Sequence, residues 1–215
     1  MNSNSSKQVV LSIVCVAILV VAVVGVSFAF FTYTRTGGQD NIINTGQLIF
    51  AFKDGSNTIN LTDQFPIADS AGLALSGKNN VCNFTISGTT TGGVINYTVY
   101  GVQGNASEDK DKTVRFKDTE IKANMSATTP AGYTFTSATG ASAAKTIEAL
   151  KSSGKILFGT GTVTSAATAS SVATFTLKMW VSDAVTISDT AAATYTPANY
   201  GKLYYTMKIV VDATA

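Results

Sequence analysis

Two hydrophobic patterns divide this chain of 215 residues into an apolar N-terminal run and a long region of alternating side chains. The run extends from Val9 to Phe31 and contains no charged residue. A helix of its 23 residues rises about 34 Å, which is enough to cross a hydrocarbon core of roughly 30 Å. We therefore predict a transmembrane helix or uncleaved signal anchor over residues 9–31, after a polar leader over residues 1–8. The residues predicted to contact lipid are Val9, Leu11, Ile13, Val16, Ile18, Leu19, Val23, Val26 and Phe28.

The end of the run also resembles a signal-peptidase site. Ser27 and Ala29 place small residues at the −3 and −1 positions, so cleavage after Ala29 is the alternative to a retained anchor. Secretory signals usually have a shorter apolar region, of about 7–15 residues, and a more basic leader than one with Lys7 alone. Both features favour the anchor.

Aromatic and β-branched residues follow the run. Phe30, Phe31 and Tyr33 can form an interfacial belt at the level of the headgroups. They can equally open a first strand that pairs with the sheet of this domain or with a neighbouring subunit. We assign residues 32–46 to a linker or first strand and residues 47–215 to one domain.

Within that domain, apolar residues recur at every second position, as in strands that pack one face on a core. Val172 to Val181 and Lys202 to Asp212 show this alternation most clearly, and they are expected to dominate the core. In both strands an aromatic residue, Trp180 or Tyr204, falls on the more polar face and is a candidate for an assembly surface. The other predicted strands are Gln47 to Lys53, Asn57 to Leu61, Asn80 to Ser87, Val94 to Val102, Thr119 to Ser126 and Tyr133 to Thr136.

The turn signals and one helical pattern complete the fold prediction. Asp54-Gly55 predicts a hairpin that returns through Asn57 to Leu61, and Tyr133 to Thr136 is expected to pair with Thr119 to Ser126. A short helix is predicted at Ser142 to Ser152, with Gly154 as its stop. About eight to ten short strands with one helix indicate an all-β, antiparallel two-sheet sandwich of jelly-roll type.

The composition excludes several kinds of chemistry. The chain has no histidine, which removes His metal sites, Ser-His-Asp and Cys-His catalysis, and every His general base. Its two cysteines are Cys15 in the apolar run and Cys82 in the domain, so the domain has no internal disulfide. A net charge of +2, with 13% charged residues, does not indicate nucleic-acid binding. We predict no enzyme activity, cofactor, metal or small-molecule substrate.

Two weaker patterns remain. Asp183 and Asp189 lie among Ser and Thr and could supply oxygen ligands for calcium, but their spacing is more typical of a turn with side-chain to backbone hydrogen bonds. Five asparagines match the N-glycosylation sequon, which matters only in a host that glycosylates. They are Asn60, Asn83, Asn96, Asn105 and Asn124.

Three passages carry a resemblance to known families. Ser27 to Phe30, followed by Thr45-Gly46-Gln47-Leu48, resembles the start of the camelysin and TasA group, and Ile59 to Gly88 is similar to the next segment of that group. VRFKDTEI, residues 114–121, with TFTLKMWVSDAVTISDT, residues 174–190, resembles a set of Firmicutes proteins and, more loosely, proteins of large DNA viruses.

The resemblance implies a jelly-roll domain displayed outside a membrane, in a group whose members include subunits of biofilm fibres. In that group an N-terminal strand released by signal cleavage completes the sheet of the next subunit, and the matching segment here is Phe30 to Thr36. The longer apolar run and weakly basic leader of this chain depart from the group. The metalloprotease activity described for camelysins is not carried over, because the chain has no histidine and no clustered ligand set.

The leading hypothesis is a structural protein: a single-pass, membrane-anchored sandwich that packs with like or unlike subunits on a cell surface or in a membrane-containing virion. Its partners would be the lipid bilayer and other structural subunits, with the domain on the extracytoplasmic side. One alternative is a secreted fibre subunit cut after Ala29. The other is a carbohydrate- or receptor-binding module that uses the loops at one end of the sandwich.

Overall fold

The computed structural model describes residues 15–16, 32–36, 41–44, 48–54, 59–77, 79–104, 111–190 and 193–214, and the side chains of 15–16 and of those from residue 59 onward. Cys15 and Val16 are helical and exposed. The described part of the chain contains no helix that is long and apolar enough to cross a membrane. The other predicted anchor residues, together with Ser27, Ala29, Phe30, Phe31 and Asn105, lie outside the described residues.

The described part of the chain is mostly β-structure. In chain order, its strands are β1 (Thr32–Thr36), β2 (Asn41–Asn44), β3 (Leu48–Asp54), β4 (Ile59–Thr62), β5 (Val81–Thr90), β6 (Val94–Gln103), β7 (Val114–Arg115), β8 (Ile121–Thr128), β9 (Tyr133–Ser137), β10 (Lys145–Thr146), β11 (Lys151–Ser152), β12 (Lys155–Thr164), β13 (Val172–Val181) and β14 (Leu203–Thr214). The short helices are α1 (Asp69–Leu73), α2 (Ile147–Leu150) and α3 (Pro197–Tyr200).

The strands form two sheets. The larger sheet has the order β1-β14-β6-β12-β11, with β4 and β7 also on β14 and β9 also on β12. The smaller sheet has the order β10-β8-β13-β5-β3-β2. Pairing is antiparallel throughout the described strands, except for the two-residue contact of β7 with β14. This arrangement is consistent with the predicted two-sheet sandwich.

The core lies between the sheets and is built by the predicted alternation. In β13 the buried set runs from Ala173 through Phe175 to Val181, and in β14 it runs from Leu203 through Tyr205 to Val211. The two sets belong to different sheets but to one hydrophobic cluster. Cys82 lies in the same cluster, as its place in the alternation of β5 predicts.

Strand β12 is part of the larger sheet but is not among the predicted strands. Glycines interrupt its alternation, because Gly159 and Gly161 occupy buried positions beside aromatic rings. A Cβ added at Gly161 would lie 2.4 Å from Cζ of Tyr97, and one at Gly159 would lie 2.4 Å from Cζ of Phe135. The glycines therefore leave room for rings that come from neighbouring strands.

Two predicted strand pairings are wrong. β4 does not return beside β3 after Asp54-Gly55; it pairs with Tyr204–Met207 of β14 in the other sheet, where Ile59 and Leu61 become buried. β9 pairs with β12 and not with β8. There Phe135 meets Phe175 edge to face, with ring centroids 5.0 Å apart. In both cases burial of side chains in the shared core outweighs the local turn signal.

The predicted helix over Ser142 to Ser152 is also wrong in extent. Only Ile147–Leu150 is helical, and β10 and β11 flank it directly. A single helical turn is marginal by itself, so the strand pairs on both sides determine where it ends. Gly154 is not a helix stop: with Ser153 it forms the two-residue turn between β11 and β12. Their φ angles are 79° and 50°, as a type I′ hairpin turn requires.

Candidate functional site

Strand β1 begins one residue after the apolar run and lies at the edge of the larger sheet. It pairs antiparallel with β14, from Thr32 opposite Thr214 to Thr36 opposite Val210. Because β6 holds the other edge of β14 from Met207 to Thr214, β1 takes the outer edge. Residues 32–36 therefore form a strand in the sheet of their own domain, while Phe30 and Phe31 of the alternative interfacial belt lie outside the described residues.

The pairing also shows which end of the sandwich lies nearest the apolar run. Thr32 is level with Thr214, which is level with Asn96 near the start of β6. In the described part of the chain, three turns lie at this end: residues 91–93 join β5 to β6, residues 129–132 join β8 to β9, and residues 165–171 join β12 to β13. We call Thr32, Thr214 and these three turns the Thr32 end.

A buried tyrosine, Tyr133, connects the turn at residues 129–132 to β5 and to the turn at residues 165–171. The hydroxyl of Tyr133 accepts a hydrogen bond from the backbone N–H of Gly88, at 2.7 Å. The same hydroxyl lies 2.9 Å from the carbonyl oxygens of Gly88 and Ser171, and it donates to one of them at a time. Burial raises the pKa of Tyr133, so the hydroxyl keeps its proton and its role as donor.

Close backbone contact locks two of these turns. Gly132 has a φ angle of 85°, and a Cβ added there would lie 2.2 Å from the backbone nitrogen of Ala167. Its carbonyl oxygen accepts a hydrogen bond from the N–H of Thr164, at 2.9 Å. These contacts hold the turns at residues 129–132 and 165–171 in place against the sheets.

The turns of the Thr32 end contain no Asp, Glu, Lys or Arg. They consist of Gly, Ala, Ser, Thr and one Pro. Two valines that follow directly after turns are exposed to solvent, Val94 by 46% and Val172 by 43%. This end offers neutral hydroxyl, amide and small apolar groups to whatever lies beside it.

The opposite end contains a buried carboxylate, Asp118. Its Oδ1 accepts hydrogen bonds from the hydroxyl of Tyr205, at 3.0 Å, and from Nε2 of Gln103. Its Oδ2 lies 2.5 Å from Nζ of Lys151. Burial raises the pKa of Tyr205, and the nearby Asp118 carboxylate raises it further. Both oxygens of Asp118 have donors, so this group joins strands and does not offer an unengaged base.

Glu120 is the second buried carboxylate at this end. Its Oε2 accepts from the hydroxyl of Tyr195, at 2.6 Å, and from the backbone N–H of Lys117, at 2.9 Å. Burial raises the pKa of Tyr195, with Glu120 as the next cause. Neither Asp118 nor Glu120 was singled out from the sequence. The available signal was their two-residue spacing from Phe116, since every second residue from Phe116 to Glu120 is buried.

An aromatic cluster lies beside these carboxylates. Phe65 is 73% exposed and stacks on Tyr200, with ring centroids 6.1 Å apart. Tyr200 in turn contacts Phe116 and Tyr195 edge to face. Its hydroxyl donates to the carbonyl oxygen of Gln64, and burial raises its pKa to about 12. Among the described rings of the cluster, Phe65 is the most exposed.

The prediction that Trp180 and Tyr204 form an exposed assembly surface is wrong. Trp180 is 1% exposed because helix α1 lies across it, with Gly72 so close that a Cβ would be 2.1 Å from the indole ring. The indole Nε1 has no hydrogen-bond partner within the described part of the chain, so packing holds the ring. Tyr204 is 8% exposed, on β14 between β4 and β7.

The described sequon asparagines differ in accessibility. Asn83 and Asn96 are exposed, and Asn60 is half-buried. Asn124 is 3% exposed, and its Nδ2 donates to the carbonyl oxygens of Gly140 and Ala143. In the folded domain this side chain has no room for a glycan, so Asn124 is not a surface acceptor.

Asp183 and Asp189, for which the sequence favours a turn over a calcium site, show no metal-binding arrangement. Asp183 lies 3.6 Å from Nζ of Lys122, which also contacts Asp69. Within the described ranges, no group of three or more Cys, Asp or Glu side chains is placed to hold a metal ion.

Comparison with known proteins adds no further constraint on the site. No family model, curated protein or solved structure matches this chain. The resemblance to the camelysin and TasA group therefore stays a prediction, and the geometry of the described residues carries the functional argument.

Proposed function

We propose that this protein is a non-enzymatic structural component, a jelly-roll sandwich anchored in a membrane by residues 9–31. It packs with like or unlike subunits on a cell surface or in a membrane-containing virion. The observation that carries the proposal is the position of β1. A run of bilayer length leads directly into Thr32, and Thr32 is already hydrogen-bonded into the larger sheet.

This connection supports an anchor that sets the position of the domain. Backbone pairing over Thr32–Thr36 joins the end of the run to β14, which also pairs with β4, β6 and β7. The domain would therefore stand at a defined height above the bilayer and would not swing on a flexible tether. Such constant geometry suits lateral packing between subunits.

The outer edge of β1 supports the assembly part of the proposal. Among the described strands, β14 is the only partner of β1. The outward N–H and C=O groups of an edge strand can pair with a strand of another chain. A neighbouring subunit could extend the sheet at this edge without disturbing the core.

The second candidate is a secreted fibre subunit, and the same strand supports it. Cleavage after Ala29 would leave Phe30 as the new N-terminus, only two residues before β1. An edge strand at a chain terminus can leave its own sheet and pair with the next subunit. The anchor and the fibre thus differ by one peptide bond.

N-terminal sequencing and intact mass of the native protein, recovered from both the membrane fraction and the medium, distinguish these candidates. The anchor predicts a chain that retains residues 9–31. A mature chain that begins at Phe30 would refute the anchor and favour the fibre. Ala29→Leu is the matched control, because it removes the small residue at −1. It should leave the processing of an anchored protein unchanged and should block the cleavage of a secreted one.

A carbohydrate- or receptor-binding module ranks third. The exposed ring of Phe65, held against Tyr200, could stack on an apolar ligand face. It is one ring and not a platform of several. Native mass spectrometry against a panel of soluble oligosaccharides tests this candidate. It requires complexes that form with the unmodified chain and are lost in Phe65→Ala.

A further inference from the structure

We infer that the Thr32 end of the sandwich is seated in the phospholipid headgroup layer, with the turns at residues 91–93 and 165–171 directed into that layer. This inference rests on the membrane anchor proposed above. It adds which surface of the domain contacts the bilayer, and it identifies the partner of that surface as neutral lipid headgroups.

The turns at residues 91–93 and 165–171 extend beyond the level of Thr32. Thr32, Thr214 and Asn96 lie at one level, and Val94 lies two residues beyond Asn96 toward the turn. At about 3.4 Å per residue, Val94 extends about 7 Å past the level of Thr32. Thr164, the last residue of β12, pairs with Val94 and extends equally far. The turns at residues 91–93 and 165–171 lie beyond both strand ends.

The depth of Thr32 in the bilayer follows from the end of the apolar run. If the run ends at the hydrocarbon boundary with Phe31, the next residue lies at the base of the headgroup layer. That layer is roughly 5–7 Å thick on each side of the bilayer. A strand end that extends about 7 Å from Thr32 toward the membrane must pass into it, for a strand that stands near the bilayer normal. Tilting the domain would withdraw one turn but press another closer, because the turns lie at one end of both sheets.

The side chains of the turns at the Thr32 end suit a headgroup layer because they are uncharged. A charged side chain loses hydration when it enters this layer, whereas hydroxyl and amide groups can bond to phosphate and ester oxygens. The turns of the Thr32 end have no charged residue among them. By contrast, the loops, short helices and strand ends at the opposite end include Asp63, Asp69, Lys117, Glu148 and Lys151. The charge-free end is thus the one that the apolar run brings to the membrane.

Contacts between the turns at residues 129–132 and 165–171 make this end of the sandwich rigid. Tyr133 joins the turn at residues 129–132 to Gly88 of β5 and Ser171 of the turn before β13. Gly132 packs against Ala167 and joins the same turn to residues 165–171. The end therefore has little freedom to fold back from the membrane, and Val94 and Val172 stay at its surface.

The test uses the full chain in phosphatidylcholine vesicles, with a nitroxide on single introduced cysteines. Cys15→Ala removes the thiol in the run, and the buried Cys82 stays in place. Val94→Cys and Val172→Cys report on the Thr32 end. Val114→Cys and Val102→Cys, on the far half of the larger sheet, are matched controls with 46% and 44% exposure. The measurement is the rate of collision of each nitroxide with a water-soluble nickel complex.

We expect the labels at residues 94 and 172 to collide with the nickel complex at least threefold less often than those at 114 and 102. The four collision rates should become similar when the protein is measured without vesicles. They should also become similar after proteolysis releases the domain from the membrane. Equal rates for all four labels in vesicles would overturn the inference.

A fifth label separates failure of this inference from failure of the anchor. Val16→Cys places the nitroxide within the run. Protection of that label from the nickel complex, together with equal rates at 94 and 114, would leave the anchor standing and refute the seated end. A label at 16 that collides as often as the one at 114 would refute both proposals.

Discussion

The two ends of the sandwich are held together by different chemistry. At the Thr32 end, the hydroxyl of Tyr133 and the backbone contact at Gly132 join the uncharged turns at residues 129–132 and 165–171 to each other and to β5. At the opposite end, the buried carboxylates of Asp118 and Glu120 are held by Lys151 and by the hydroxyls of Tyr205 and Tyr195. One chain thus uses neutral groups at one end and charged groups at the other.

The difference shows how surroundings limit the choice of side chains. A carboxylate can be buried when enough donors surround it, as Asp118 is, but it needs water or cations close by. An end seated among headgroups would have less free water around it, and neutral groups there need no charged partner.

Gly132→Ala should cause the largest loss of stability at the Thr32 end. A side chain at a φ angle of 85° costs about 1–2 kcal/mol, and the close contact with Ala167 adds about 1–3 kcal/mol. The expected fall in the free energy of unfolding is about 3 kcal/mol, measured by urea denaturation. The matched control is Gly154→Ala, at 79° but with no atom within 4 Å of an added Cβ. It should cost about 1 kcal/mol. Equal losses would mean that conformation alone, and not contact between turns, holds this end.

Asp118→Ala should cause a smaller loss than Gly132→Ala, at the opposite end. It leaves the buried hydroxyl of Tyr205 and the amide of Gln103 without their acceptor, which costs about 2 kcal/mol. The ion pair itself adds little, because Lys151 is half-exposed. Asp183→Ala, on a side chain that is 55% exposed, is the control and should change the free energy of unfolding by less than about 0.5 kcal/mol. A loss for Asp183→Ala as large as that for Asp118→Ala would contradict this account.

Raising the pH should weaken the charged end through Tyr200. Its folded pKa is about 12, above the usual value near 10, so the unfolded chain releases this proton first as the pH rises. The stabilisation is therefore complete below pH 10 and decreases between about pH 10 and 12, by about 1 kcal/mol at pH 11. Urea denaturation at pH 9, 10 and 11 measures the loss. Tyr200→Phe cannot ionise and should show a shallower decrease; an equal slope in both proteins would rule out Tyr200 as the source.

Phe65→Ala should have the smallest effect. The ring is 73% exposed, so its removal should change the free energy of unfolding by less than about 0.5 kcal/mol. Phe116→Ala, in the same aromatic cluster but with a ring that is 1% exposed, should cost about 3 kcal/mol or more. Thermal or urea denaturation compares the two variants. A large loss for Phe65→Ala would show that this ring supports the end of the sandwich and is not held there for a ligand.

Much of the fold could be predicted because alternation is a local signal. Phe175 and Leu177 in β13, like Tyr205 and Met207 in β14, repeat at every second position and are buried as expected. Strand β12 was not predicted because Gly161 stands at an inward position where an apolar residue would continue the alternation. The ring of Tyr97 occupies the space that its side chain would fill. That requirement comes from another strand and leaves no periodic mark in β12 itself.

The candidate site was less predictable for the same reason. The sequence placed Trp180 on the more polar face of its strand but could not show that helix α1 covers it. It also singled out neither Tyr133 nor Asp118, whose partners lie far away along the chain. Gly88 is 45 residues from Tyr133, and Tyr205 is 87 residues from Asp118. Sequence alternation reports the face of a residue, not what covers that face.

By itself, the sequence determined the apolar run, the absence of histidine and the alternating strands that build the core, because each depends on residue type and spacing alone. Only the tertiary structure decided that β1 lies on the outer edge of β14, and that three uncharged turns share the end where it begins. Strand order and level follow from contacts between distant segments, and burial in the shared core selects those contacts over local turn preferences.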